Sequence, residues 1–273
     1  MTAARQSTLV VAIATLVVAS ALFVPAIAAG VPANQVPVSS QPDAGDSLSQ
    51  PTGDAWADVE SAQVPLTSAP SGLPDASIVQ TDSVTVQSAH TDDRIYVRLQ
   101  WDDQTENASE AALDAYADGA AVQLPANVST TPSVELGSQD QPVNLWYWTA
   151  ADGAEEALAG GYNPGSITAL EETTVQTHAT HDGDTWTVVF ERSLETDAPA
   201  RADFDLETDV DIAFAVWDGA NDERSGHHAY SEWYTLPLGP GDTGPAAQYL
   251  LWAVAGIGIV IALLIAARAR GGD

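Results

Sequence analysis

Few residue types in this 273-residue chain can do chemistry: there is no cysteine and no lysine, and the single methionine is Met1. Imidazole is therefore the only strong side-chain ligand for a soft or borderline metal ion or for an iron porphyrin. Five histidines supply it: His90, His178, His181, His227 and His228. His178 alternates with Gln176 and Thr180, His181 opens a turn, and His90 ends a run whose apolar side holds Val84 and Val86. Each of these three also fits an ordinary role, as a half-buried hairpin residue, a turn residue and a core-edge residue. His227 and His228 are adjacent in a polar loop, and neighbours in extended chain point apart. They do not share one ion, and either can simply cap the loop. The missing cysteines exclude disulfides, thiolate catalysis, Cys-ligated zinc and iron–sulfur clusters. No G-x-S-x-G, HExxH or phosphate-binding loop is present.

Six tryptophans, Trp101, Trp146, Trp148, Trp186, Trp217 and Trp233, fall on at least five of the predicted strands. They suit packing between sheets, and they equally suit a flat apolar slot for a planar cofactor. The elements that position them centre on Asp209–Leu238. There Val210, Ile212, Phe214 and Val216 alternate with Asp211, Ala213, Ala215 and Trp217, so both faces are dry from Ile212 onward. Such a run belongs in the middle of a sheet. Asp218-Gly219 ends it, and Ser231–Leu236 returns after a polar loop. Val84–His90 with Arg94–Trp101, and Thr173–Thr180 with Thr185–Arg192, read as two hairpins. Gly119–Leu124 and Pro142–Thr149 are further strands. Asp102–Asp118 reads as an acidic excursion with a short helix, Pro125–Gln141 as a loop, and Ala151–Ser166 as irregular. About eight to ten strands with little helix predict an all-β, antiparallel β-sandwich over residues 54–238. Asp54–Leu66 leads into it, tucking Trp56 against its edge.

The ends are of a different nature. A start carrying Arg5, the apolar run 9–29 and small residues at Ala26, Ala28 and Ala29 predict a signal peptide over 1–29. Residues 30–53 read as a flexible linker and 239–245 as a juxtamembrane one. Residues 246–267 carry no charge and would extend about 33 Å as a helix, enough to cross a bilayer core. Arg268 and Arg270 follow, so 268–273 is expected in the cytoplasm, with the sandwich outside the cell on a single-pass anchor.

Asp and Glu number 38 against eight arginines, a formal charge of −30 at pH 7. With a hydrophobic fraction of 45% this is a folded domain and not a disordered one. The surface is of the halophilic kind, because a Debye length of about 3 Å at 1 M salt screens its self-repulsion. Nucleic acid is excluded as a partner. Asn107-Ala108-Ser109 and Asn127-Val128-Ser129 have the form of glycosylation acceptors.

Taken together, RIYVRLQWDD, DGAAVQLP, G-x4-PVNLWYW, DGDTWTVVFERSL and DIAFAVWDGANDERSGHHAYSEWYTLPL resemble the haem-binding γ subunits of ethylbenzene dehydrogenase and related molybdoenzymes of the dimethyl-sulfoxide-reductase type. The resemblance implies a β-sandwich holding one b-type haem. It implies electron transfer, without catalysis of its own, for a molybdopterin catalytic subunit and an iron–sulfur subunit, with a membrane cytochrome b as a further partner. It also implies Met and Lys as axial ligands. The Met position falls within Pro132–Gly137, which has none, and no lysine exists. Either the ligands are replaced or haem is lost. If replaced, His178 is the expected ligand, with His90 or His181 as the second. Trp146 and Trp148 would line the haem, and Arg98, with Arg94 and Arg192, would meet its propionates. The alternative is a haem-free sandwich that binds or anchors a partner protein or a carbohydrate.

Overall fold

A computed structural model describes residues 34–69, 79–109, 115–127, 130–134, 136–161, 165–198, 201–223 and 227–239. All fall in one compact unit, Ala33–Gly244. The apolar runs at both ends lie outside the described residues, as do the predicted signal peptide, anchor and tail. Among the described residues no helix is long and apolar enough to cross a membrane.

The strands, in chain order, are β1 (Val38–Ser40), β2 (Ser61–Pro65), β3 (Thr67–Ser68), β4 (Ser83–His90), β5 (Arg94–Asp102), β6 (Gly119–Pro125) and β7 (Val143–Thr149). There follow β8 (Gly153–Ala159), β9 (Ile167–Ala169), β10 (Gln176–His181), β11 (Thr185–Ser193), β12 (Val210–Trp217), β13 (Ala229–Tyr230) and β14 (Tyr234–Leu236). One six-stranded sheet runs β1-β4-β5-β11-β10 with β2 also on β4. An eight-stranded sheet runs β3-β13-β12-β6-β7-β8-β9 with β14 also on β12. Every strand pair is antiparallel except β1 with β4. The architecture is nearly all-β and sandwich-like, as the alternation predicts.

Period-2 patterning builds the core between the sheets. Ile95, Val97, Leu99 and Trp101 of β5 and Trp186, Val188 and Phe190 of β11 share one cluster with Val122, Trp146, Ile212, Phe214 and Val216. Trp101, Trp148 and Trp186 pack mutually, with centroids 5.0–6.4 Å apart. Arg192 is also inside, over Trp146 and Phe204 at 5.3 and 4.8 Å. Its guanidinium donates to the Ala202 and Ser193 carbonyls, and burial lowers its pKa to about 10.

The two outer faces are treated differently. On the six-stranded sheet, Tyr96, Ala89 and Val189 are covered by Leu48, Trp56 and Val59. Those residues come from a short helix α1 (Gly45–Leu48), a 3₁₀ turn at Asp54–Asp58 and Val59, which caps that turn. Gln87 secures the cover, its amide donating to the Trp56 and Val59 carbonyls at 2.9 and 2.7 Å. Residues 34–53 are thus part of the domain and not the flexible linker expected of 30–53; Val36 and Leu48 are fully buried. Their apolar residues are too sparse to show a period, yet each fills a place in a core cluster.

Two further differences concern local structure. The stretch expected to be irregular contains β8, a strand of Gly, Ala, Glu and Leu that owes its conformation to pairing with β7 and not to propensity. The return strand after the central loop is broken in two at Ser231. There the Phe214 N–H is taken by the Ser231 hydroxyl at 2.9 Å, and the Ser231 N–H donates to the Phe214 carbonyl.

Candidate functional site

Among the described residues no local segment covers the outer face of the eight-stranded sheet in the same way. Side chains on that face alternate with those of the core, and register aligns them in rungs. One rung reads Tyr230, Ala215, Ala121, Tyr147, Glu155; the next reads Ala213, Gln123, Leu145, Ala157, Ala169. Alanine leaves the middle of the sheet low, while Tyr230 and Tyr147 stand three strand spacings apart, about 14 Å. The result is an apolar trough of about 270 Å³, just below the range of ordinary small-molecule sites (about 300–1,000 Å³) and open along one side. Val134, Leu136, Ile167, Trp217 and His228 complete its sides.

The walls are held in place from behind. Trp217 stacks on Tyr147 (4.9 Å, 23°) and meets His228 edge-on at 6.0 Å; His228 in turn lies 6.3 Å from Tyr230. Gly119 makes room for Trp217: a Cβ there would lie 2.2 Å from the indole nitrogen. On the other side the Gln123 amide donates to the Val134 carbonyl at 2.8 Å. Leu136 adopts a left-handed backbone (φ 58°). That conformation costs a non-glycine residue about 1–2 kcal/mol, and it falls on a residue lining the trough. Beneath β8, Glu156 is buried and accepts from Asn144, Arg201 and the Thr174 N–H and hydroxyl. Burial pushes its carboxyl up, but these donors together hold it below its ordinary value.

The predicted site residues are not gathered here. His178 sits half-exposed on the edge strand β10, with Glu191 at 3.8 Å. His90 ends β4, its Nδ1 2.8 Å from the Thr91 carbonyl. Register places these two strands three spacings apart, at least about 14 Å, too far for ligands of one iron. His181 is an odd number of residues from His178 and so faces the other way; its Nε2 contacts the Asp103 carbonyl at 2.9 Å and its ring packs on Trp186. Trp146 and Trp148 belong to the core behind the trough, one sheet thickness from its floor. Arg98 lies under the N-terminal cover, bonded to Gln87 and the Pro51 carbonyl. Arg94 pairs with Glu191 at 2.7 Å. The residue that does line the trough is His228, while its neighbour His227 is buried, so the two point apart as expected.

Chemically, the lining suits a flat, apolar ring system. His228 is its one imidazole, and no arginine is among the described lining residues. A porphyrin lying along the open trough would be held by His228 through a ring nitrogen and by the apolar side chains around it, with Val134 and Leu136 standing where the resemblance places a Met.

The fold and the site thus define a β-sandwich with an apolar trough on the outer face of one sheet and a single imidazole, His228, among its lining residues. The chain belongs to the ethylbenzene dehydrogenase family, whose model matches residues 53–173 and 162–229. It is 46% identical over 244 residues to a Haloferax mediterranei protein named as a respiratory nitrate reductase heme subunit, covering 88% of this chain and 87% of that one. It is 31% identical to the chlorate reductase γ subunit of Ideonella dechloratans (71% of this chain, 81% of that one). It is 32% identical to the dimethylsulfide dehydrogenase γ subunit of Rhodovulum sulfidophilum (70% and 75%).

Proposed function

We propose that this chain is the b-type-haem electron-transfer subunit of a molybdopterin oxidoreductase complex acting on a substrate such as nitrate. Its partners would be a molybdopterin catalytic subunit, an iron–sulfur subunit and a membrane cytochrome b. The apolar run 246–267 would anchor it with the sandwich outside the cell, and 1–29 would direct export. The names of its relatives support the class. The observation that carries the reading is the trough, with His228 as its only imidazole.

Haem, when bound, would supply one-electron exchange between ferrous and ferric iron. The chain's own residues do the rest. His228 offers the ligand nitrogen, and Trp217 and Tyr230, on either side of it, restrict the orientation of its ring. Ala121, Ala213 and Ala215 let a flat ring approach the sheet closely, and Leu145, Tyr147 and Ile167 exclude water from its edges. Glu155 at the trough, in a protein of charge −30, favours the more positive oxidised state.

The test is an absorption spectrum of the full chain purified in molar salt. A Soret band is expected that His228→Ala abolishes or shifts and His178→Ala leaves alone. A full-intensity, unshifted band in His228→Ala would remove the trough as the site. A haem-free protein that purifies without molybdoenzyme subunits would favour the carbohydrate or protein-binding alternative.

A further inference from the structure

At one end of the sandwich three carboxylates converge from three strand ends. Asp103 follows β5 of the six-stranded sheet; Asp118 precedes β6 and Asp218 follows β12, both of the eight-stranded sheet. Each offers an oxygen, and the three oxygens lie within 4.8 Å of one another. No arginine among the described residues pairs with them.

Local hydrogen bonds hold the carboxylates in place without neutralising them. Asp118 accepts from the Gly219 N–H through Oδ1 and from the Asn107 N–H and Trp186 indole through Oδ2. Asp218 Oδ1 accepts from the Ala220 N–H. Asp103 Oδ1 accepts from the Thr105 N–H and hydroxyl. Its Oδ2 has no partner at all, on a residue only 6% exposed. The side-chain oxygen of Asn107, the residue whose N–H bonds Asp118, is likewise buried and unpartnered. Orphaned buried acceptors are rare, because each forfeits its hydration without compensation. Here one belongs to the acidic cluster and the other to a residue bonded to it. Burial and the neighbouring Asp103 also raise the Asp118 pKa to about 6.

We propose that Asp103, Asp118 and Asp218 bind a Ca²⁺ ion that ties the two sheets together at this end. The donors are all hard oxygens with no nitrogen or sulfur among them, which selects against zinc and copper. Ca²⁺–oxygen distances of about 2.3–2.6 Å put opposite ligands at most about 5 Å apart, so the observed spacing fits one coordination sphere. The cation answers the repulsion among clustered like charges, two of them buried, and gives the unpartnered Oδ2 of Asp103 a partner. It also fixes the turn after β12, and so the backbone next to Trp217. The site does not depend on the haem reading.

Trp186, bonded to Asp118, gives a direct probe. EGTA-treated full chain in molar NaCl, titrated with Tb³⁺ and excited through tryptophan, is expected to show saturable sensitised emission that Ca²⁺ displaces. Asp103→Asn and Asp218→Asn should each lose that emission, while Asp182→Asn, at the exposed β10–β11 turn, should retain it. Ca²⁺ at a hundredfold excess over Kd should raise the Tm of the wild type by about 5–10 °C. Asp218 is only partly buried, so its variant reports on the site even if Asp103→Asn fails to fold. Emission equal in wild type and Asp218→Asn, or a Tm identical in Ca²⁺ and EGTA, would overturn the assignment.

Discussion

Filling the trough should separate cofactor binding from folding, because the same substitution moves the two in opposite directions. Ala121 and Ala215 are cross-strand partners at the middle of the floor. Changing both to Leu adds six carbons on the face away from the core. At ~0.8 kcal/mol per buried methylene, full burial would contribute ~5 kcal/mol. The trough is open along one side, so about half of that applies, and ordering two leucine side chains costs ~1–2 kcal/mol. The balance is about 1 kcal/mol of added stability, or ~2–4 °C in Tm for a domain of this size. A porphyrin, by contrast, loses the flat surface it lies on. The assay is the ratio of Soret to protein absorbance beside a circular-dichroism melt, both in molar salt. The expected result is a protein that melts at the same temperature or higher and retains less than about a tenth of the wild-type haem. A double variant with an unchanged Soret ratio and an unchanged melt would refute the placement of the cofactor on this sheet.

Three further expectations concern the scaffold. Arg201→Ala leaves Glu156 buried without its 2.9 Å partner and should cost about 3–5 kcal/mol, read as a Tm loss on the order of 10 °C. Because the Glu156 carboxyl is held below its ordinary value of 4.5, its stabilising contribution is present above that pH and is lost as pH falls through the folded-state value. Melts from about pH 6 to 3 should therefore be steeper in pH for the wild type than for Glu156→Gln, and parallel curves would contradict this. Dilution from about 2 M to about 0.1 M NaCl lengthens the Debye length to ~10 Å and should destabilise this chain of charge −30. Near-ultraviolet circular dichroism would report the loss, and equal melting in both salts would count against a salt-adapted surface.

Alternation made the sandwich legible. The β4–β5 hairpin and the central strand β12 appear within a residue or so of where the pattern predicts them, and β10 of the second hairpin starts three residues later than predicted. The short or alanine-rich pieces α1 and β8 are invisible to it, since pairing and cluster packing decide them. The site was half legible. The second dry face of β12 was evident in Ala213, Ala215 and Trp217, and it is this face that floors the trough. The rest of the floor comes from Ala121, Ala157 and Ala169, on strands far apart in sequence and brought together only by register. Alanine carries no chemical signal by itself. The histidines were legible as a scarce resource but not as a site. Choosing among them requires knowing which sheet each belongs to and which face it shows, and His228, in a polar loop, looked like a cap.

The contact between Gly119 and the indole of Trp217 constrains how this protein can change over time. No larger residue can arise at 119 while the indole stays, so any drift there must begin with a smaller aromatic, or none, at 217. Losing the indole removes the stacking partner of Tyr147 and the edge contact of His228 in one step. The pair acts as a ratchet: two positions nearly a hundred residues apart can diverge only in one order, and the first move already alters the wall of the trough.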